Sequence, residues 1–381
     1  MVRDDLEIGD QVIINAGGLQ QLFEVLSREG YKIIGPTIRH AAIVYDELRS
    51  FSDLPVGWRD VQDAGTYRLI KDDMESLFGY VVGPQSWKKY LHPPVVRLWR
   101  AKRDGGGFHI VEEKEEIPQY ALVGVRSCDI HAIHALDKVF HTEEFSDPMY
   151  NERRGKAFIL AVNCTRPGGT CFCVSMNTGP EVKSGFDIAL TEVLDNGHHY
   201  FIAKAGSEKG TDVLSGVTHR KVTDQEKRVA RRILDESRRQ MGRTLKTSSL
   251  EAISSKNFEH PHWEKVAERC LTCGNCTMVC PTCFCHTIGD ANTLNGEHAE
   301  RWRKWDSCFT QDFSYIHGGS IRRSEKSRYR QWLTHKLVTW EDQFGTLGCV
   351  GCGRCITWCP VGIDITEEAK AILDEPLRPV K

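Results

Sequence analysis

The sequence predicts a mixed fold, α/β or α+β, for an N-terminal domain and a mostly helical C-terminal domain. The first observation is that two buried-strand patterns, Ala121–Val125 and Phe158–Val162, flank a helical stretch. Strand, helix and strand in that order form a parallel α/β unit. The second is the uneven spread of the 15 cysteines, since none precedes Cys128 and eleven lie between Cys270 and Cys359.

Length and composition narrow the function classes. The 381 residues suffice for two or three domains, and a net charge of -2 is unlike the basic balance of a general nucleic-acid binder. The start lacks the apolar core of a secretory signal, and runs such as Ala157–Val162 are too short to span a membrane. We therefore expect a cytoplasmic protein with no nucleic-acid partner and no membrane span. Dense cysteine in a reducing compartment indicates metal binding.

The first hundred residues mix short apolar segments with turns. Leu19–Arg28 has the apolar spacing of a helix, and Tyr31–Gly35 is typical of a strand that closes on a Gly-Pro turn. Ala42–Tyr45 and Val95–Trp99 are further predicted strands. The glycine run in Asp104–Gly107 predicts a hairpin turn.

Shifts in composition predict the domain boundaries. Residues 1–220 form the α/β domain, and residues 221–254 form a basic linker helix for which an acidic docking partner is the alternative. Residues 255–381 form the cysteine-rich domain, with a long insertion at 281–348. Within the insertion, the basic stretch Arg322–Lys336 is expected to be a solvated face.

Two copies of the spacing C-x2-C-x2-C-x3-C-P carry the most specific signal in the chain. The spacing is typical of ferredoxin-like domains that hold two [4Fe–4S] clusters. A pair of zinc knuckles is the alternative, because four thiolates also suit zinc. The copies consist of Cys270, Cys273, Cys276, Cys280 and Pro281, and of Cys349, Cys352, Cys355, Cys359 and Pro360.

The same spacing predicts which thiols share a cluster. Three thiols separated by two residues surround one cube, and the fourth is carried to the neighbouring cube. Cluster 1 is therefore expected on Cys270, Cys273, Cys276 and Cys359, and cluster 2 on Cys349, Cys352, Cys355 and Cys280. Cys283, Cys285 and Cys308 are left over, as thiols that are buried or adjacent to the ligands, although a ligand role stays open.

A third cysteine set lies in the α/β domain. Cys128 and Cys164 each follow a predicted strand, and Cys171 and Cys173 lie in the loop after Cys164. Carboxyl ends of parallel strands meet at one edge of a sheet, so these thiols should converge. They predict a third [4Fe–4S] cluster, cluster 3, with a zinc site or simple packing as alternatives. His131 and His134 follow on the predicted helix, in packing or hydrogen-bonding roles.

Five segments together resemble one family. They are GVRSCDIHAIHALD at 124–137, the C-x6-C-F-C loop at 164–173, CLTCGNCTMVCPTCFC at 270–285, RKWDSC at 303–308 and CVGCGRCITWCP at 349–360. In these segments the chain is similar to the β (iron–sulfur) subunit of cytoplasmic NAD(P)-linked [NiFe] hydrogenases, the sulfhydrogenases. The same broad group includes the iron–sulfur subunit of anaerobic sulfite reductase. The resemblance runs from about residue 120 to 365 and is weaker in the first hundred residues.

The resemblance implies an electron-transfer subunit with three [4Fe–4S] clusters, the third on the set around Cys128. The implied partners are a flavin- and NAD(P)H-binding iron–sulfur subunit and the small and large subunits of a [NiFe] hydrogenase. An anaerobic sulfite reductase is the alternative, and a zinc-stabilised assembly module is an alternative from another class. The sequence has no G-x-G-x-x-G before a helix and no P-loop, so we expect a non-catalytic subunit of a multisubunit oxidoreductase.

Overall fold

The computed structural model describes residues 6–111 and 116–374. Its strands are β1 Gln11–Ile14, β2 Lys32–Arg39, β3 Ala42–Glu47, β4 Trp58–Asp63, β5 Thr66–Lys71, β6 Val95–Asp104, β7 Gly107–Val111, β8 Tyr120–Val125, β9 Phe158–Val162, β10 Ile188–Asp195, β11 His198–Ala205, β12 Arg220–Lys221, β13 His286–Asn292, β14 His298–Trp305, β15 Tyr315–Ile316 and β16 Gly319–Ser320. Its α-helices are α1 Ala16–Arg28, α2 Lys88–Leu91, α3 Ser127–Phe140, α4 Pro148–Lys156, α5 Glu208–Ser215, α6 Asp224–Arg239, α7 Ala252–Ser255, α8 His262–Ala267, α9 Asn275–Met278, α10 Glu325–Thr334, α11 Trp340–Phe344, α12 Arg354–Thr357 and α13 Ile365–Asp374.

An eight-stranded mixed sheet dominates the N-terminal region, in the order β12-β1-β11-β10-β9-β8-β2-β3. The four strands β10, β9, β8 and β2 are parallel to one another, whereas the outer pairs are antiparallel. The centre is apolar, because all five residues of Phe158–Val162 are buried. The prediction of a mixed α/β fold is confirmed, and so is the parallel β8–α3–β9 unit.

One predicted turn is wrong. The Gly-Pro pair at Gly35 and Pro36 does not end β2, which continues to Arg39. On the side of β2 that faces β8, strand pairing extends only to Ile34. Pro36 lies beyond that point, so its missing N–H removes no hydrogen bond between β2 and β8. Gly35 serves packing instead, because a Cβ there would lie 2.5 Å from Leu48 Cδ1.

A second, four-stranded sheet joins distant parts of the chain. It has the order β13-β14-β6-β7, and all its pairs are antiparallel. The predicted hairpin turn is confirmed, since Asp104 pairs with Gly107 at the end of β6 and β7. Strands β13 and β14 come from the insertion at 281–348, which therefore contacts the N-terminal region directly. In addition to these strands, the C-terminal region contains helices α8 to α13 and the short antiparallel pair β15–β16.

The basic helix α6 packs on the large sheet. It begins with a capping box, in which Thr223 and Glu226 satisfy each other's backbone N–H groups. Ala230 and Leu234 are the buried apolar residues of the helix, and Ala230 contacts the apolar cluster that includes Val193. Over the described ranges, no helix is both long enough and apolar enough to cross a membrane.

Candidate metal centres

The first cysteine-lined cavity combines thiols from both C-terminal motifs. It encloses about 430 Å³ of space, part of it open to solvent. Gly274 begins α9 at φ +75, a conformation that favours glycine, and the turn brings Cys276 towards Cys270. The cavity is lined by Cys270, Cys273, Cys276, Cys355 and Cys359 together with aromatic side chains that include Phe309, Tyr329 and Trp332. Cys359 of the second motif thus lies with the first three thiols of the first motif.

The second group has the reciprocal arrangement. Cys280 is among the neighbours whose charge raises the pKa of Cys349, Cys352 and Cys355, after burial as the first cause. The fourth thiol of the first motif therefore lies with the first three of the second. Cys280 is also a neighbour of Cys276, and Cys355 also lines the first cavity, so the structure brings the thiols of the two motifs together. Which thiols share a cluster remains a prediction.

The third cavity lies at the edge of the large sheet, in about 460 Å³ of space that is partly open to solvent. Cys128 is in the first turn of α3 directly after β8, and Cys164 follows β9. The lining includes Cys128, Cys164, Cys171, Cys173 and Cys352. All four thiols of the third predicted set meet here. Neither His131 nor His134 is among the described residues that line the cavity. His131 Nδ1 lies 2.9 Å from the Ser127 carbonyl oxygen.

The three thiol sets form a row. Cys352 of the second set lines the third cavity, and Cys128 and Cys173 both have it as an electrostatic neighbour. On the other side, Cys276 of the first set is an electrostatic neighbour of Cys355. The order is therefore cluster 3, cluster 2, cluster 1. The first set includes an exposed thiol, that of Cys273.

Burial makes these thiols hard to ionise without a metal. It raises the pKa of Cys349 to about 12 and the pKa of Cys173 to about 12, with neighbouring thiols as further causes. A bound cation reverses this preference, because a coordinating thiol is deprotonated by the metal charge. Within the described ranges, no group of three or more His, Cys, Asp or Glu side chains is arranged to hold a single metal ion.

Two arginines that line the third cavity have hydrogen-bond donors without a partner. Arg126 Nε and Arg354 Nε are buried, and neither has a hydrogen-bond partner among the described residues. Both arginines line the cavity. Buried polar groups nearly always have partners, so these donors indicate an acceptor such as cluster sulfide. The residues present thus fit a [4Fe–4S] cluster.

A buried lysine accompanies the second group. Lys336 Nζ donates to Thr282 Oγ1 at 2.6 Å and to the Gly348 carbonyl oxygen at 3.2 Å. The charges of the Cys280 and Cys283 thiols raise its pKa, against burial, which is the largest single influence and lowers it. Lys336 therefore places a buried positive charge beside the thiols of the second group.

Lys336 corrects one prediction. The basic stretch Arg322–Lys336 is not a solvated face throughout, because Arg328 and Lys336 are buried. A signal was available in the sequence, since Lys336 lies four residues after Trp332 and four before Trp340. That spacing predicts that Lys336 shares a helix face with the two tryptophans, which are buried in the structure.

The three leftover cysteines lie near thiols of both C-terminal sets, with Cys283 beside Cys280 of the second set and Cys308 near Cys276 of the first. Cys283 hydrogen-bonds Cys280, and this contact lowers the pKa of the Cys280 thiol. The Cys308 thiol hydrogen-bonds Cys285 and lowers the pKa of Cys285 to about 7. These thiols therefore adjoin predicted ligands, as expected.

Comparison with known proteins agrees with this geometry. The 4Fe-4S dicluster domain family matches residues 269–363, which contain both motifs, and a second 4Fe-4S dicluster domain family matches residues 218–284. Sulfhydrogenase 2 subunit beta of Pyrococcus furiosus (strain ATCC 43587 / DSM 3638 / JCM 8422 / Vc1) is 35% identical over 268 residues, 70% of this chain and 76% of the relative. The chain belongs to the sulfhydrogenase beta subunit family. It is an iron–sulfur electron-transfer subunit of that type, and no solved structure matches it.

Proposed function

We propose that this sulfhydrogenase-type beta subunit carries electrons through three [4Fe–4S] clusters. The path connects a flavin- and NAD(P)H-binding iron–sulfur subunit with the small and large subunits of a [NiFe] hydrogenase. The observation that carries the proposal is the row of three converging four-thiol sets, in which neighbouring sets are in electrostatic contact. The clusters, when bound, supply one-electron redox chemistry. The proposal includes the cytoplasmic location and the division into residues 1–220, 221–254 and 255–381.

The ligand assignment in the proposal has twelve thiolates. Cluster 1 is held by Cys270, Cys273, Cys276 and Cys359, cluster 2 by Cys349, Cys352, Cys355 and Cys280, and cluster 3 by Cys128, Cys164, Cys171 and Cys173. Support comes from the thiols that line the first and third cavities and from the neighbours of Cys280. The chain's own residues bury these groups and supply compensating charge through Lys336, Arg126 and Arg354.

The relative's name favours a hydrogenase partner over a sulfite reductase, since that relative is a sulfhydrogenase subunit. The zinc-stabilised assembly module is less well supported, because both family models that match the chain are 4Fe-4S dicluster domains. Electron transfer is also the role that a row of adjacent buried thiol sets supports, whereas an assembly module has no need of adjacency.

The test is the metal content of the anaerobically purified chain. Iron and acid-labile sulfide should each approach about twelve per chain, four for each of three cubes. Cys173→Ser should remove or alter cluster 3 and leave the electron paramagnetic resonance of the other two unchanged. Val174→Ser, which changes an exposed side chain next to Cys173, is the control and should keep the full iron content. Iron near eight with one zinc would reject cluster 3.

A second measurement tests the electron-transfer role itself. The isolated chain should take up electrons from a strong reductant, because its clusters are redox-active. It should neither consume hydrogen nor oxidise NAD(P)H, because these reactions are assigned to the partner subunits. Turnover of either substrate by the chain free of partners would contradict the proposal.

A further inference from the structure

A buried ion pair lies between the second and third thiol sets. Arg354 Nη1 is 2.9 Å from Asp129 Oδ1, and the two residues are only 3% and 1% exposed. Tyr45 donates its hydroxyl to Asp129 Oδ2 at 3.3 Å. Asp129 is in the first turn of α3, one residue after Cys128, and Arg354 begins α12, between Cys352 and Cys355. Each partner is therefore anchored beside a different predicted cluster.

The surroundings of the pair place it against both sets. Cys352 and Cys128 are both electrostatic neighbours of Arg354, and Arg354 lines the third cavity with Cys128. The Cys352 carbonyl oxygen lies 3.7 Å from Cys171 Sγ, so little space separates the two sets. A charge on Arg354 therefore acts on both clusters at short range and through a medium of low dielectric constant.

Stability alone is a poor explanation for this pair. Burying two charges has a desolvation cost that the attraction between them often fails to offset. The contact is also not an aligned hydrogen bond, because Arg354 Nη1 and Asp129 Oδ1 have no hydrogen-bond partner among the described residues. The Arg354 guanidinium thus keeps unused donors beside the third cavity. A role in which its charge is directed to the clusters accounts for both features.

We propose that Arg354 and Asp129 are positioning residues that set the reduction potentials of clusters 2 and 3. Each residue shifts both potentials in the same direction, and the two residues have opposite effects. A positive charge stabilises the reduced, more negative cluster, and so Arg354 raises both potentials. Asp129 lowers them and limits the effect of Arg354. Cluster 1 lies outside this control, because its thiols are on the far side of cluster 2. The inference rests on the proposed function, since it needs clusters in both places.

The experiment is a redox titration of the full chain with its clusters, followed by electron paramagnetic resonance. In Arg354→Gln the midpoint potentials of clusters 2 and 3 should fall, and in Asp129→Asn they should rise. Each change should alter the ratio of reduced to oxidised cluster at least about tenfold, which is about 59 mV for one electron. Cluster 1 should keep its potential in both variants. Arg354→Lys, which keeps the charge, should restore most of the wild-type values.

The control is Asp137→Asn, at the other end of α3. Asp137 pairs with Arg154 at 3.2 Å near the surface, and its loss should leave all three potentials unchanged. Shifts of equal sign in Arg354→Gln and Asp129→Asn, equal shifts in cluster 1, or no shifts would overturn the inference. So would loss of clusters from all three variants of the pair, because the pair would then serve folding alone.

The iron content of the wild type separates the two proposals. Twelve irons without the opposite shifts would reject the inference and leave the three-cluster function intact. Eight irons, with no third signal to titrate, would reject the function and the inference with it.

Discussion

At the scale of one residue, the buried side chain of His92 makes the stability of the fold depend on pH. It is fully buried and stacks on Phe140 at 4.7 Å between ring centroids, and neither ring nitrogen has a hydrogen-bond partner among the described residues. Burial, followed by the positive charges of Arg303 and Lys88, lowers the pKa of His92 to about 3. The folded protein therefore holds this ring neutral, whereas an unfolded chain binds a proton near pH 6.5.

This difference predicts that acid destabilises the fold through His92. Below pH 6.5 the His92 ring binds a proton in the unfolded state but stays neutral in the folded state. The free energy of unfolding therefore falls as the pH falls towards 3. From pH 6.5 to 5 the loss approaches about 2 kcal/mol, at about 1.36 kcal/mol per pH unit. His92→Phe keeps the stacking and should remove this part of the slope in anaerobic urea unfolding. The exposed His317→Phe should not, and equal slopes in both variants would contradict the role of His92.

The cysteine motifs could be predicted from the sequence more readily than the partners of the buried residues Arg354 and Lys336. Ligand spacing is a local property, so the two C-terminal motifs could be recognised in the sequence, and the family match over residues 269–363 agrees with them. The exchange of Cys280 and Cys359 stays a prediction from that spacing. The partners of Arg354 and Lys336 could not, because a charged residue is expected in solvent unless a partner distant in sequence is known. Asp129 is such a partner for Arg354, 225 positions earlier in the chain.

At the scale of elements, the turn before α12 fastens the C-terminal domain to the loop of the third set. Gly353 has φ +75, and a Cβ there would lie 2.4 Å from the Thr170 carbonyl oxygen. The backbones of the two segments also contact each other directly two residues away, where the Phe172 N–H donates to the Gly351 carbonyl oxygen at 2.8 Å. The two elements approach so tightly that a side chain at Gly353 has no space.

Gly353→Ala should therefore disturb clusters 2 and 3 together. The backbone must shift, and the left-handed conformation adds strain, so we expect a loss of more than about 2 kcal/mol in stability. Iron should fall by up to about eight per chain, two cubes of four. Gly106→Ala is the control, because a Cβ at Gly106 meets nothing within 4 Å. Wild-type iron content in Gly353→Ala would show that the close contact is dispensable.

The elements themselves were predictable where their pattern is local. β9 has the predicted bounds, and α3 is the helix predicted between the two strands, because apolar runs and helical spacing are read within one segment. The hairpin β13–β14 was not predicted. Its sequence is rich in charge, and Glu300 pairs with Arg100 across 200 positions. Such pairing is decided by tertiary contacts and not by β-propensity.

At the scale of the whole molecule, two apolar cores differ in their relation to the cysteines. The core of the large sheet is built from strands and helices such as α1 and β9, and no cysteine belongs to it or packs against it among the described residues. The second core centres on Trp263, Leu333 and Ile372. It is smaller, and its edge is made of partly buried cysteines, namely Cys270, Cys276, Cys308, Cys349, Cys355 and Cys359.

Removal of iron should therefore affect the two cores unequally. In the proposed ligation, clusters 1 and 2 each join the two motifs across the long insertion, so their binding free energy is part of the folding free energy of the C-terminal region. After anaerobic chelation, amide hydrogen exchange should rise strongly around Trp263, Leu333 and Ile372. The strands of the large sheet, such as Phe158–Val162, should keep their protection, because their core is complete without metal. The large sheet is thus the internal control. Uniform exchange across both cores, or unchanged protection in the second, would contradict a fold in which the clusters hold the C-terminal region together.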